Sequence, residues 1–413
     1  MAKIRPFQAW MPRADLAEQV AALPYDVYSR AEAREKVQGD QLSFLRIDRP
    51  ETQFEEDCDM YAPRIYEKAD EMLKQMEHDG ILVQDEKPLF YIYELTMDGR
   101  TQTGLVAGSS VDDYLTGVVK KHEQTRRDKE EDRVRHVDGC SAQTGPIFLA
   151  YRANPKVKEI LEQAKQQTPY CSFTPEDGVY NCIWKITDED MIRQLTELFE
   201  EMEYTYIADG HHRAASAVRV SQMRRAAREN YTGEEEFNFF LSVLFADEEL
   251  KIMDYNRVLK SRNGLGAEEL LDKLKEVFRI EPVKGENCRP SQKGEMGFYQ
   301  DHQWYRLQVK EEYCKQDPVN SLDVAYLQRE VLTPVFGIKD PKTDGRIDFV
   351  GGIRGLQELE RRCDQDCVCA FAMYPTAIEE LFAVADADLL MPPKSTWFEP
   401  KLRSGLFIHE IER

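Results

Sequence analysis

An α/β fold built on a mixed sheet is what this sequence predicts, and three observations predict it. The run Tyr204-Thr205-Tyr206-Ile207 is aromatic and β-branched, as a short buried strand is. Asp209-Gly210 breaks that run, and from Arg213 to Ala217 the composition turns to alanine-rich helix formers, with helical signal continuing towards Arg228. Two extended runs, 89–95 and 101–107, flank Asp98-Gly99, which is hairpin turn chemistry. Residues 59–79 place Tyr61, Ile65, Ala69, Met72 and Met76 at three- and four-residue steps, the spacing of an amphipathic helix, and Gly80 ends it.

Bulk properties narrow the class. The chain has 413 residues, enough for two domains or one large one, and its 42% hydrophobic content supports a proper core. The expected division is an N-terminal part, 1–262, and a C-terminal α/β part, 263–413, with Gly264-Leu265-Gly266 marking the boundary. No apolar run approaches the roughly eighteen residues of a membrane span, and Met1 to Phe7 lack the apolar centre of a signal peptide. A cytoplasmic protein without a membrane partner is expected. A net charge of −21 speaks against a nucleic-acid surface, which needs a basic face. The nine cysteines are odd in number and lack disulfide-framework spacing. Cys363, Cys367 and Cys369 lie close together, but they neighbour a strand-like run, 368–373, where cysteine serves as a small apolar residue rather than a metal ligand.

In chain order, 3–10 and 21–27 read as short extended pieces around a helix that includes 15–20. Pro24-Tyr25-Asp26-Val27 is a turn that either lines a cleft or caps the core. A helix is expected at 30–37 and a strand at 43–47. Residues 118–133 interleave both charge signs at helical spacing, with Glu123 and Arg127 four apart, which predicts a helix beginning near His122-Glu123. Such runs are usually solvated faces. Helix 156–166 and strand 181–186 lead to the central turn, and 239–245 is continuously apolar, as a fully buried strand is. Asn256 and Arg257 either bind something or close a turn. Residues 281–297 read as a loop or insertion, 304–309 as a strand and 322–332 as a helix. The pair Gly351-Gly352 is a weak phosphate-loop signal, and no GxxxxGK[ST] sequence is present.

Chemistry concentrates at three places. At 209–213 a carboxylate, two imidazoles and a guanidinium stand where a strand gives way to a helix, whose free N–H groups and dipole favour phosphate. Arg213 suits bidentate contact with phosphate oxygens, and Asp209 suits a metal or a proton, or merely caps the helix. Glu123 is a carboxylate placed for proton transfer. In 391–405, three prolines stiffen a segment in which Lys394, Lys401 and Arg403 gather positive charge, as recognition of an anion requires.

These residues also carry a resemblance. Ile4-Arg5-Pro6-Phe7, Pro24 to Val27, Lys121-His122-Glu123, Ala208 to Arg213, Arg346 to Gly352 and Pro392 to Gly405 identify the chain as a member of the bacterial domain-of-unknown-function family 1015. More distantly it resembles the ADP-dependent free-serine kinases of the ParB/sulfiredoxin superfamily. The matching pieces are His122-Glu123, Asp209-Gly210-His211-His212-Arg213, and Pro375-Thr376 with Glu379-Glu380 followed by Pro393-Lys394-Ser395-Thr396. The sulfiredoxins place a reactive cysteine two positions before the arginine of this turn, where His211 stands here.

The resemblance implies a ParB/sulfiredoxin-like core in the N-terminal part, completed by the C-terminal part, with the active cleft between them. It implies a phosphotransferase acting on the hydroxyl of free L-serine, or in reverse on O-phosphoserine, with ADP or ATP and Mg²⁺. Glu123 and Asp209 would be catalytic, with Asp209 also a metal ligand. Gly210, His211, His212 and Arg213 would bind phosphate or nucleotide, and Lys394, Ser395, Thr396 and Arg403 would bind substrate. A phosphoserine phosphatase-like hydrolase and a nucleotide-binding regulator without turnover are the alternatives. Expected partners are an amino acid or phospho-amino acid and a nucleotide.

Overall fold

The computed structural model describes residues 1–284, 288–313 and 315–412. The fold is mixed α/β, and the chain forms two compact units. One comprises 1–121, 125–250 and 400–413; the other comprises 122–124 and 251–399.

The first unit is organised by a nine-stranded sheet. Its path runs Val119–Lys120, Thr205–Asp209, Ile147–Tyr151, Phe239–Ala246, Arg100–Ser110, Phe90–Met97, Tyr180–Ile186 and Cys171–Phe173, with Ile4–Arg5 beside Arg100–Ser110. Phe239–Ala246 lies parallel to Ile147–Tyr151 and antiparallel to Arg100–Ser110, and all eight of its residues are buried. This is the burial its unbroken apolar run predicts. The hairpin forms as its turn requires: Asp98 and Gly99 both take positive φ, 53° and 76°, the conformation that matches the twist of the flanking strands. Helices Pro155–Ala164 and Glu189–Glu200 bury Val157, Ile160, Leu195 and Phe199 in one core with Phe90, Ile92, Leu105 and Leu149. A second core gathers Phe44, Leu45 and Ile47 with Ala69, Leu73 and Met76 of helix Pro63–His78.

Two expectations are corrected here. Residues 43–47 are not a strand: Leu45–Asp48 is a helical turn, its apolar side chains buried against Pro63–His78. A five-residue stretch with three apolar residues, Phe44, Leu45 and Ile47, is too short to show a period of its own, so packing decides its form. The helix expected to begin near His122-Glu123 begins only at Arg127 and runs to Cys140, and upstream of it Val119 and Lys120 pair in parallel with Thr205 and Tyr206. Glu123 therefore lies in a connecting segment, not at a helix start.

The second unit carries a six-stranded sheet in the order Phe278–Val283, Gln303–Val309, Glu295–Gln300, Cys369–Ala372, Tyr255–Leu259 and Ile347–Gly351, with every pairing antiparallel. Cys369 is fully buried within it, and Ala370 and Ala372 pack against Leu356 and Leu359 of helix Gly355–Gln365. The 281–297 stretch is flanked by paired strands rather than being loop throughout; residues 285–287 within it lie outside the described ones, as does Cys314. The helix expected at 322–332 is Asp323–Leu327 continued by the wider turns of Gln328–Leu332. Gly351 and Gly352 serve packing: an added Cβ would stand 2.7 Å from the Trp397 ring at one and 2.4 Å from the Asp254 carboxylate at the other.

Candidate functional site

The central turn forms in the first unit. Thr205–Asp209 ends in a shift of register against Ile147–Tyr151, between Ile207 and Asp209. Gly210 follows at φ 93°, a left-handed conformation that glycine alone adopts freely, and caps the sixteen-residue helix His211–Ala226. Arg213, in the first turn, reaches back over the glycine. Its Nη1 donates to the Pro146 carbonyl at 2.5 Å and its Nη2 to Asp209 Oδ2 at 3.0 Å. Lys401 Nζ stands 3.6 Å from Asp209 Oδ1, so the carboxylate lies between two cations. A side chain at Gly210 would come within 3.0 Å of Arg213 Nε. His211 is buried, and the His212 ring accepts the Arg126 backbone N–H at 2.9 Å through Nε2, which requires the proton on Nδ1.

Beside Arg213 lies a polar pocket lined by Tyr25, Asp48, Arg133, His136, Thr144 and Ser404, with about 30 Å³ open to the centre of a water molecule. Thr144 Oγ1 donates to Asp48 Oδ1 at 2.8 Å, and Arg133 pairs with Asp132 at 2.9 Å while its guanidinium covers the Tyr25 ring at 4.1 Å. His136 donates from Nε2 to the Ile47 carbonyl at 2.9 Å. Burial, then the nearby Arg133 charge, hold its pKa below the ordinary histidine value, so it is a neutral imidazole. Tyr25 thus lines a cleft. Arg133 ends the charged run that reads as a solvated face and His136 follows it on the same helix, yet both are buried. The signal for this is the poverty of that helix in apolar residues: with Val134, Val137 and Cys140 as its main apolar side chains, its inner face has to bury polar groups.

The second unit brings two of the other stretches together. The His122 carbonyl accepts the Met391 N–H at 2.8 Å, and His122 Nε2 lies 3.4 Å from Thr396 Oγ1. Gln124 is held through its carbonyl by Lys342 Nζ at 2.9 Å. Glu123, half-buried, is thereby fixed between two anchored neighbours. In the 394–396 loop, Lys394 is exposed and takes φ 60°. Ser395 is buried: its hydroxyl donates to the Pro392 carbonyl at 2.6 Å, and its own carbonyl accepts from Thr376 Oγ1 at 2.9 Å. Glu380 accepts the Ala377 N–H at 2.9 Å and so caps helix Ile378–Asp386. Arg403, in the first unit, is buried and its guanidinium is paired with Asp177.

Among the described residues no three His, Cys, Asp or Glu side chains gather to hold a metal. Asp209 is a lone carboxylate with two cations beside it. That fits an Mg²⁺ held by phosphate oxygens, waters and one carboxylate, the usual habit of this ion, better than a cage made by protein alone.

A protein-family model matches residues 4–325. The chain belongs to the family described as Protein of unknown function (DUF1015). No curated protein matches it. Several solved structures are similar to this DUF1015 member. A free serine kinase in complex with AMP is 14% identical, with 71% of this chain and 86% of that chain covered at a TM-score of 0.36. A mutant of free serine kinase in complex with ADP is 12% identical, with 71% and 87% covered and a TM-score of 0.37. SbnI with C-terminal truncation from Staphylococcus aureus is 10% identical, with 74% and 87% covered and a TM-score of 0.39. At these values the likenesses assign no residue and no ligand to the DUF1015 chain. Among its described residues no helix is long and apolar enough to cross a membrane.

Proposed function

We propose that this DUF1015 protein is a phosphotransferase acting on the hydroxyl of free L-serine or, in reverse, on O-phosphoserine, with ADP or ATP and Mg²⁺. The observation that carries the reading is the turn itself. A left-handed glycine, the positive end of a helix and an anchored guanidinium converge on one spot, as an anion cradle requires. Phosphoryl transfer draws its rate from positioning and charge neutralisation, which is what such a cradle supplies. Arg213 and the first-turn N–H groups would hold phosphate oxygens. Asp209 would meet Mg²⁺, which when bound neutralises charge between phosphates. Lys401, beside Asp209, adds positive charge to the cradle. On the motif resemblance, Glu123 is the base that takes the serine hydroxyl proton, and Lys394, Ser395, Thr396 and Arg403 are assigned to substrate.

A second reading, a nucleotide-binding regulator without turnover, is favoured by one observation: Asp209 is already neutralised by Arg213 and Lys401. One assay separates the two. Purified protein with Mg²⁺, phosphoserine and ADP is followed for serine, ATP and inorganic phosphate. Serine with ATP marks the transferase, serine with free phosphate marks a hydrolase, and ADP binding without product marks the regulator. Glu123→Gln should remove turnover and leave ADP affinity within about twofold, since a base acts on the reacting proton and not on the phosphates. Turnover unchanged in that variant would take the role from Glu123.

A further inference from the structure

Four arginines among the described residues are deeply buried, Arg49, Arg133, Arg257 and Arg403. Three have a carboxylate: Arg49 has Glu51, Arg133 has Asp132 and Arg403 has Asp177. Arg257, at 3% the least exposed of the four, has none among the described residues. It sits on Tyr255–Leu259 in the second unit's sheet, opposite Phe349 on one neighbouring strand and Phe371 on the other. Its guanidinium donates to the Tyr255 carbonyl and, at 3.1 Å, to the Lys394 carbonyl, and it lies 5.6 Å from the centre of the Phe349 ring. Two neutral acceptors do not compensate a full charge removed from water.

A second cation, Lys394, lies nearby, and the buried acid of the same loop, Glu399, accepts from Trp397 Nε1 at 2.8 Å. Lys394, a lysine in a left-handed conformation that disfavours any side chain, turns its carbonyl to Arg257 while its Nζ stands 5.6 Å from the centre of the Tyr255 ring. Tyr255 meets Phe349 and Trp397 edge-on at 5.9 and 5.0 Å, so the two cations share an aromatic wall. The nearest acids along the chain are otherwise engaged. Asp254 holds Asn256 at 2.6 Å and Arg289 at 3.4 Å, and Asp348 holds Arg362 at 2.8 Å. With burial lowering the Arg257 pKa to about 10, no neighbouring carboxylate restores it.

We propose that Arg257 is the receptor for an oxyanion, a phosphate or carboxylate group of a small-molecule ligand, that approaches beneath the Lys394 loop. This rests on observations in the second unit alone and does not depend on the phosphotransferase reading, which assigns the neighbouring Lys394 to substrate. A guanidinium awaiting an anion is a liability in the free protein and an asset in the bound one. A guanidinium that is only a strut for two carbonyls is an asset throughout.

The test is thermal unfolding of the full chain in inorganic phosphate, in acetate, and in chloride of matched ionic strength. Wild type, Arg257→Met, Arg257→Lys and Arg213→Ala are compared. The expected result is that phosphate or acetate raises the wild-type Tm above its chloride value, and which of them does so names the group. Arg257→Met should lose at least half of that rise, Arg257→Lys should keep part of it, and Arg257→Met in chloride should melt no lower than wild type. The proposal is overturned if Arg257→Met keeps the full rise, or if it melts several degrees lower in chloride. It is also overturned if no anion exceeds chloride, or if Arg213→Ala alone abolishes the response.

Discussion

Replacing Gly210 by alanine tests whether the central turn works through its geometry. Gly210 has φ 93°, and an alanine held in a left-handed conformation costs about 1–2 kcal/mol. The new Cβ would also stand 3.0 Å from Arg213 Nε and 3.1 Å from its Cζ and Nη2. The guanidinium would have to give way, and with it the 2.5 Å bond to Pro146 or the 3.0 Å bond to Asp209. A hydrogen bond to a charged group contributes roughly 1.5–3 kcal/mol, so losing one from a phosphate complex weakens binding about 10- to 100-fold. Gly117 provides the control: its φ is 82°, and nothing lies within 4 Å of its missing Cβ. Gly117→Ala should therefore lose stability as Gly210→Ala does, a few degrees in Tm, and keep its affinity for ADP. Calorimetric titration with ADP and Mg²⁺ measures both variants. If they bind ADP equally, with wild-type affinity, Arg213 does not hold phosphate and the reasoning fails.

Two further predictions concern other parts of the fold. His136 is held below the ordinary histidine pKa by its burial, so the unfolded chain takes up its proton first. Its contribution to stability is complete above about pH 6.5 and is lost as pH falls through the folded value. Tm measured between pH 8 and pH 5 should drop less steeply in His136→Gln than in wild type, and equal slopes would refute this. Gly351→Ala would press a methyl group to 2.7 Å from the Trp397 indole, whereas Gly345 has nothing within 4 Å. Overpacking of this kind costs about 1–3 kcal/mol, so the urea midpoint should fall for Gly351→Ala and hold for Gly345→Ala.

Much of the fold was legible where one signal dominated. Asp98-Gly99 between two alternating runs, the apolar block at 239–246 and the alanine-rich start after Gly210 each state their structure locally. Residues 43–47 did not, because a short stretch with three apolar residues fits either a strand or a helical turn until Pro63–His78 packs against it. Residues 118–126 misled for a different reason. Charge spacing suggested a helix, while the parallel partner that makes Val119–Lys120 a strand lies some 85 residues onward, beyond what a local pattern can reveal. The chemistry was similarly divided. The turn at 209–213 was visible because its groups are adjacent in sequence. The pocket beside it was not, since Tyr25, Asp48, Arg133, Thr144 and Ser404 come from five separate segments and only folding collects them.

The return of residues 400–412 to the first unit sets a condition on how that unit is made. All nine strands of its sheet have been synthesised by residue 246, yet Phe407 fills the space against Tyr91 and Tyr93, and His409–Glu410 completes a ladder with Ala142–Gln143. At 5–20 residues per second the ribosome needs on the order of ten seconds or more to reach them. During that interval a nascent chain holds an aromatic slot open to chaperones and proteases. Chains stalled at residue 399 should be cut by a protease that spares the full chain.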